Sequence, residues 1–334
     1  MKVRHRYSLI SCLVAVSFST SVAAETVVNF GAGAGFAGLP MMIMDHLDLL
    51  EKHGKAAGLD LKANYPRFSG TSANQDAILS GSVDFVMYGA SALITIWSRA
   101  KNSPHQVIGV SGITTLTVHL VTNKKDLKSI ADFTPSDKIA VTGLAAPQVL
   151  MLQQFSEKTF GAGQHSKLKS NLVALPHSES VSAMLSGGTE VKAYFAPPPF
   201  TQILLDSGKV STITTSVEMM GGPASLLILS ATRRYLEANP AIAEVAVKAM
   251  REATDLIKQD PKRAAEIYLT MEPSRTLDHK QVEAILRQIG PEFGPEVSGM
   301  RVWADIMQKV GLIKEGPADL KDVFWRTVPE AHLN

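Results

Sequence analysis

Ser72-Ala73-Asn74-Gln75-Asp76-Ala77-Ile78-Leu79-Ser80-Gly81, followed by Val83-Asp84-Phe85-Val86-Met87-Tyr88, decides the fold, because the chain repeats it. The second copy is Ser178-Glu179-Ser180-Val181-Ser182-Ala183-Met184-Leu185-Ser186-Gly187, followed by Val191-Lys192-Ala193-Tyr194-Phe195. Each copy reads as a Ser-capped helix, a glycine stop and a strand, and Ser72 with Gln75 fits a capping box. Two such units predict two lobes built alike, with a ligand held between them.

Outward from the repeat, strands and helices alternate, which predicts an α/β fold. Strands are expected at Thr26 to Phe30, Leu59 to Ala63, Val83 to Tyr88, Val107 to Val110 and Val118 to Thr122. The next set is Lys138 to Val141, Asn171 to Leu175, Val191 to Phe195, Val210 to Ile213 and Ala224 to Leu229. Pro40 suits the first turn of a helix running to about Lys52, since its missing N–H costs little there. Ile242 to Ile257 keeps its apolar residues on one face, as a helix packed on a lobe does. The pattern divides into a first lobe of residues 25–117 and 226–334 and a second lobe of 118–225. Each is a mixed sheet flanked by helices. The chain crosses between them twice, near 116–122 and 222–228, which makes a two-strand hinge able to close on a ligand.

The first 24 residues read as a secretory signal: basic Lys2, Arg4 and Arg6, a short apolar core from Leu9 to Phe18, and a small-residue cleavage site at Val22-Ala23-Ala24. The expected location is periplasmic. Of the 334 residues, cleavage removes three basic residues and no acidic one, so the formal charge falls from +2 to −1. No basic field remains to draw nucleic acid or anionic lipid. The single cysteine, Cys12, lies in the signal, so the exported chain is expected to have no disulfide, thiol nucleophile or Cys-held metal. The only other apolar stretches are too short for a span of roughly 18 residues.

Gly33-Ala34-Gly35-Phe36-Ala37-Gly38 matches GxGxxG after a strand, with Asp60 downstream, as in a dinucleotide site. Export, and the extra glycine at Gly31, favour instead a loop whose bare N–H groups face a small ligand, or a plain turn. The remaining strand-end loops are rich in Gly, Ser and Thr, and several precede helices. Helix N-termini offer free N–H groups and partial positive charge, which suits a carboxylate or sulfonate without arginine. Ser178 sits at one such terminus, either as a ligand contact or only as a cap. Arg67 and His177 are possible anion clamps or simply solvated. No GxSxG, HExxH or paired-acid pattern is present, and His46 and His53 are too widely spaced for an i, i+4 metal pair, so neither an enzyme nor a metal or cofactor site is expected.

An ordered series of short motifs resembles the periplasmic substrate-binding proteins of ABC importers in the nitrate/sulfonate/taurine group. It comprises Gly38-Leu39-Pro40, Leu49 to Gly54, Ser69-Gly70-Thr71, Leu79 to Asp84, Ile130 to Phe133, Ala183 to Ala193 and Asn239-Pro240. The resemblance implies a type II-like, two-lobed, hinge-closing binder, a monomer that hands a small-molecule ligand to a transmembrane permease. By position it places Gly35, Phe36, Ser69, Thr71, Gly89, Ser91, Thr142, Ala145 and Phe195 at the ligand. The chain departs from the pattern in the second lobe, at Lys192, Gly188 and Pro197-Pro198-Pro199-Phe200. The ligand expected is a small organic anion. One alternative is a neutral aromatic such as a thiamine-related pyrimidine, stacked on Phe36, Tyr88, Tyr194, Phe195 or Phe200. Another is a sensor that binds the same ligand without transport. A pyrimidine-forming enzyme would need a cysteine-rich iron motif that the exported chain lacks.

Overall fold

The structure, a computed structural model, describes residues 25–33, 35–68, 71–101, 103–274 and 276–333, without the side chains of Thr71 and Ser72. The signal segment 1–24, Ala34, Ser69 and Gly70 lie outside the described residues. In chain order, the first part holds β1 (Thr26–Gly31), α1 (Gly35–His46), α2 (Leu49–Ala56), β2 (Leu61–Asn64), α3 (Thr71–Ser80), β3 (Phe85–Gly89), α4 (Ala90–Arg99) and β4 (Val107–Thr114). The middle holds β5 (His119–Thr122), β6 (Lys138–Val141), α5 (Pro147–Phe160), β7 (Leu172–Ala174), α6 (His177–Ser186), β8 (Val191–Ala196), α7 (Phe200–Asp206), β9 (Ser211–Thr215) and α8 (Ser216–Met220). The rest holds β10 (Leu227–Thr232), α9 (Arg233–Ala238), α10 (Pro240–Gln259), α11 (Pro261–Met271), α12 (His279–Ile289) and α13 (Met300–Lys309).

The strands form two five-stranded sheets, ordered β2-β1-β3-β10-β4 and β7-β6-β8-β5-β9. The two are built to one plan. In each, the first three strands are parallel, and the fourth is antiparallel to both of its neighbours. That fourth strand is the one that arrives from the other sheet: β10 follows β9 and α8, and β5 follows β4. The two crossing segments, after Thr114 and before Leu227, are the two strands of the hinge.

The repeat of the sequence is a repeat of structure. α3 and α6 each span ten residues, each is followed by a glycine at positive φ (Gly81, 78°; Gly187, 70°), and each leads to the third strand of its sheet. Glycine is required there because the left-handed region penalises a Cβ. The caps differ from expectation. α6 begins at His177 behind Pro176, so Ser178 lies inside the first turn, and its carbonyl accepts a bond from Ser182 Oγ at 2.9 Å. Likewise α3 begins at Thr71, so Ser72 is not its cap.

α1 begins at Gly35, five residues before Pro40, which stands inside the helix. The expected start misses because the end is capped from far away: Gly35 N–H donates to Glu272 Oε2 at 2.8 Å, across 237 residues. The helix breaks before α2 at Asp48, a non-glycine residue at φ 47°. The glycines of the loop before α1 serve close packing. A Cβ on Gly38 would meet the Gly33 carbonyl oxygen at 2.5 Å.

α10 buries Ile242, Val245, Ala246, Ala249, Met250 and Ile257, the apolar face seen in the sequence, against α1, α2 and β4. The chain after α11 then returns to the hinge. Gly112 N–H donates to the Pro295 carbonyl, Gly294 N–H to the Ile113 carbonyl, and Thr115 N–H to the Glu292 carbonyl. The Glu292 carboxylate accepts from Thr117 N–H at 2.8 Å and from Thr117 Oγ1 at 2.7 Å. The second crossing is held too: Ser225 N–H donates to the Ser298 carbonyl, and Trp303 Nε1 to the Ser225 carbonyl at 3.2 Å. Both crossings are thus bonded to residues 292–303.

Candidate functional site

Between the sheets lies a cavity of about 890 Å³, bounded by α3 and α4 of the first, α5 of the second, and the end of α13. One end is built from helix starts. Gly89 and Ser91 open α4, Thr142 to Pro147 lead into α5, and Gln75 stands on the second turn of α3. The N-cap residues of α4 and α5 are Gly89 and Ala146, and neither supplies a side-chain acceptor to the first turn. Ala90 N–H donates to the Leu226 carbonyl, Val149 N–H to the Ala146 carbonyl, and Pro147 has no N–H; the first-turn N–H groups of Ser91, Ala92 and Gln148 are left for an outside acceptor, and the aligned peptide dipoles favour one with negative charge.

The other end is cationic. Arg99, at the C-terminus of α4, and Lys169 both line the cavity and make no ion pair among the described residues. His165 lines it as well, with Nδ1 at 3.7 Å from Glu157 Oε2. Glu157 is already engaged by Lys309 Nζ at 3.2 Å and by Gly163 N–H at 2.9 Å. Among the described lining residues there is no carboxylate and no Phe, Tyr or Trp; His165 is the one aromatic ring. The walls between the two ends are mostly aliphatic, with Thr95 and Gln153 the polar side chains on them.

Of the site residues expected from sequence, the cavity brings together Gly89, Ser91, Thr142 and Ala145. Ser69 lies outside the described residues, and of Thr71 only the backbone, at the start of α3, is described. Gly35 and Phe36 do not line the cavity. The Gly35 N–H is taken by Glu272, whose other oxygen accepts from Arg67 Nη1 at 3.1 Å. The chain's own carboxylate thus occupies the anion seat at α1, and Arg67 is its clamp. Phe36 is buried edge-on against Tyr268, with ring centroids 4.6 Å apart. Burial pushes the Tyr268 hydroxyl up to about 12, with help from Glu272.

Phe195 is also buried, paired across the sheet with Leu120. Ser178 is exposed on α6, away from the cavity lining. Its neighbour His177 bonds through Nδ1 to the Tyr194 hydroxyl and stacks on Phe200, with ring centroids 4.9 Å apart. Burial holds His177 below its ordinary range and pushes Tyr194 up, so the pair is neutral near pH 7. The rings named as possible stacking faces are therefore in the core or, for Phe200, already stacked.

Sequence reasoning did not single out Arg99, Lys169 or the leucines beside them. Arg99 is the last residue of α4. Nothing local distinguishes it from a solvated arginine, and its place at the cavity depends on α5 and α13 packing beside α4.

The NMT1-like family profile matches residues 23–271, about three quarters of the sequence. The chain belongs to the NMT1-like family. No curated protein matches it. Solved structures of the same fold include the periplasmic aliphatic sulphonate-binding protein SsuA of Escherichia coli, 17% identical over 90% of this chain and 92% of that one, with a TM-score of 0.67. The sulfonate-binding SsuA of Methylobacillus flagellatus KT is 19% identical over 90% and 91%, with a TM-score of 0.65. The periplasmic nitrate-binding protein NrtA of Synechocystis PCC 6803 is 14% identical over 90% and 84%, with a TM-score of 0.63. At these identities the likeness establishes the fold, and it agrees with the family resemblance drawn from the motifs. This NMT1-like chain has, among its described residues, no helix long and apolar enough to cross a membrane and no group of three metal-ligating side chains.

Proposed function

We propose that this protein is the periplasmic substrate-binding component of an ABC importer, which captures a small organic anion between its lobes and delivers it to a transmembrane permease. The observation that carries the anion is the composition of the cavity: helix starts without side-chain caps at one end, Arg99 and Lys169 at the other, and neither a carboxylate nor a Phe, Tyr or Trp among the described lining residues. A neutral aromatic would want a ring to stack on, and the rings nearest in sequence are buried or engaged. The lobes are taken as residues 25–117 with 226–334, and 118–225, closing on the two crossings. The sulfonate- and nitrate-binding proteins of this fold support the same ligand class.

Thermal unfolding of residues 25–334 against taurine, alkanesulfonates, nitrate, carboxylates and thiamine pyrimidines tests the proposal. A ligand at about 100 times its dissociation constant adds about 2.7 kcal/mol, a shift of several degrees for a chain of this size. Shifts confined to anions are expected. A shift with pyrimidines alone would refute the anion site.

A further inference from the structure

The cavity is larger and more apolar than a small anion needs. Ligand sites run from roughly 300 to 1,000 Å³ and bury most of a drug-sized molecule, so about 890 Å³ lies near the top of that range. The two most exposed large hydrophobic side chains in the described structure, Leu144 at 63% and Leu312 at 55%, both line it. Leu144 stands in the loop before α5, at the helix-start end. Leu312 follows α13, whose Met307 also faces the cavity. Isolated exposed leucines are common on proteins, but two that converge on one cavity mark a surface that an apolar body covers.

The helix starts and the cations sit at the two ends of this stretch, with Thr95 the polar side chain of α4 between them. From Ser91 to Arg99 the cavity follows α4 for eight residues, about 12 Å of helix rise. At the far end Arg99 and Lys169 come from different lobes and make no ion pair among the described residues, while the Glu157 carboxylate beside His165 is held by Lys309.

We propose that the ligand is an elongated dianion with an apolar body, one acid group at the starts of α4 and α5 and the second between Arg99 and Lys169. This rests on the anion-binding function proposed above and narrows it to one class, of which long α,ω-dicarboxylates are the simplest members. Leu144 and Leu312 cover the body, and Arg99 and Lys169 select for the second charge. Nitrate or taurine would leave this far end unfilled.

Calorimetric titration of residues 25–334 with unbranched α,ω-dicarboxylates of increasing length, beside monocarboxylates of equal length, tests the inference. The dicarboxylates are expected to improve with length to an optimum near the span of the cavity. There they should bind about tenfold tighter than the matched monocarboxylate, a modest gain because both cations are solvent-exposed. Arg99→Gln and Lys169→Gln should erase that advantage, bringing the dicarboxylate down to the affinity of the matched monocarboxylate for the same variant. Neither side chain makes a hydrogen bond that folding would miss, and far-UV circular dichroism checks this. Leu312→Ser should weaken long chains of both series alike. Monocarboxylates that bind as well as dicarboxylates, or a dicarboxylate advantage that survives both substitutions, would overturn the inference while leaving the anion site standing. If neither these probes nor the anions of the wider panel bind, both proposals fall together.

Discussion

Replacing Glu292 by alanine should loosen the first hinge crossing by a predictable amount. The carboxylate accepts two bonds from one residue, Thr117, through its N–H at 2.8 Å and its hydroxyl at 2.7 Å. A hydrogen bond to a charged group is worth about 1.5–3 kcal/mol when solvent is excluded. Both residues are only half-buried, so water can take over part of each bond in the variant, and the expected loss is about 2–3 kcal/mol in total. For a chain of this size that lowers the melting temperature by about 3–5 °C. The Glu292 carbonyl still accepts from Thr115 N–H, so the crossing stays in place and the transition should remain cooperative. Glu292→Gln keeps one acceptor oxygen and should lose about half as much. Thr117→Val removes only the hydroxyl. In a double-mutant cycle the pair should show a coupling of about 1 kcal/mol, because the two side chains interact directly. Denaturant titration of the four proteins measures this. A Glu292→Ala variant that melts within about one degree of the parent, or a coupling indistinguishable from zero, would show that water replaces the carboxylate fully and that the clamp is not what holds the crossing.

Two further outcomes follow from the structure. Gly112→Ala places a Cβ 2.0 Å from the Glu296 carbonyl oxygen, a backbone atom, and should cost at least about 2 kcal/mol, whereas Gly188→Ala, with nothing within 4 Å, should be near neutral; paired thermal melts decide. Burial holds His119 and His177 below 6.5, for His119 against the opposing pull of Glu292 and Glu218, so the unfolded chain takes up these protons first; their contribution to stability is complete above about pH 6.5 and is lost as the pH falls below it. Urea midpoints should therefore drop between pH 7.5 and pH 5.5, and less steeply in His119→Gln; a midpoint flat across that range in both proteins would contradict the burial of these rings.

What the sequence made legible was local or periodic. The helix–glycine–strand repeat needs only a glycine at positive φ after each ten-residue helix, and Gly81 and Gly187 are read directly. The face of α10 follows from the 3.6-residue period. What failed depended on partners distant in the chain. Glu272 sets where α1 begins and fills its anion seat, and no property of residues 33–40 announces it. Phe36 and Phe195 occupy the positions that the family resemblance assigns to ligand contacts, yet tertiary packing turns them into core. An aromatic near a strand end carries the same letter whether it faces a cleft or the sheet beneath it. The loops at Gly89 to Ser91 and Thr142 to Ala145 reached the cavity because strand ends in an open α/β sheet fix their position without reference to side chains.

The family match ends at Met271, and the chain just beyond it touches every part of the binding machinery. Glu272 closes the α1 terminus, Glu292 and Ser298 bond to the two crossings, and Lys309 reaches across to Glu157 on α5. These contacts differ in how they respond to a closing motion. Those at the crossings lie at the pivot, where a rotation displaces atoms least, and they are mostly backbone bonds in half-buried surroundings. The Lys309–Glu157 pair lies away from the crossings with an exposed lysine, and solvent screens such a pair so that it adds little. Closure can therefore break it without touching the pivot. The C-terminal segment then moves with the first sheet, to which residues 293–295 and 324–325 are bonded along β4. Met307 and Leu312 become a fixed wall against which α5 closes. The two sheets follow the plan common to the fold, while, on the binding function proposed above, the length and greasiness of the ligand would be set by a segment outside the matched region. Substitutions there should change which ligands bind before they change whether the protein closes.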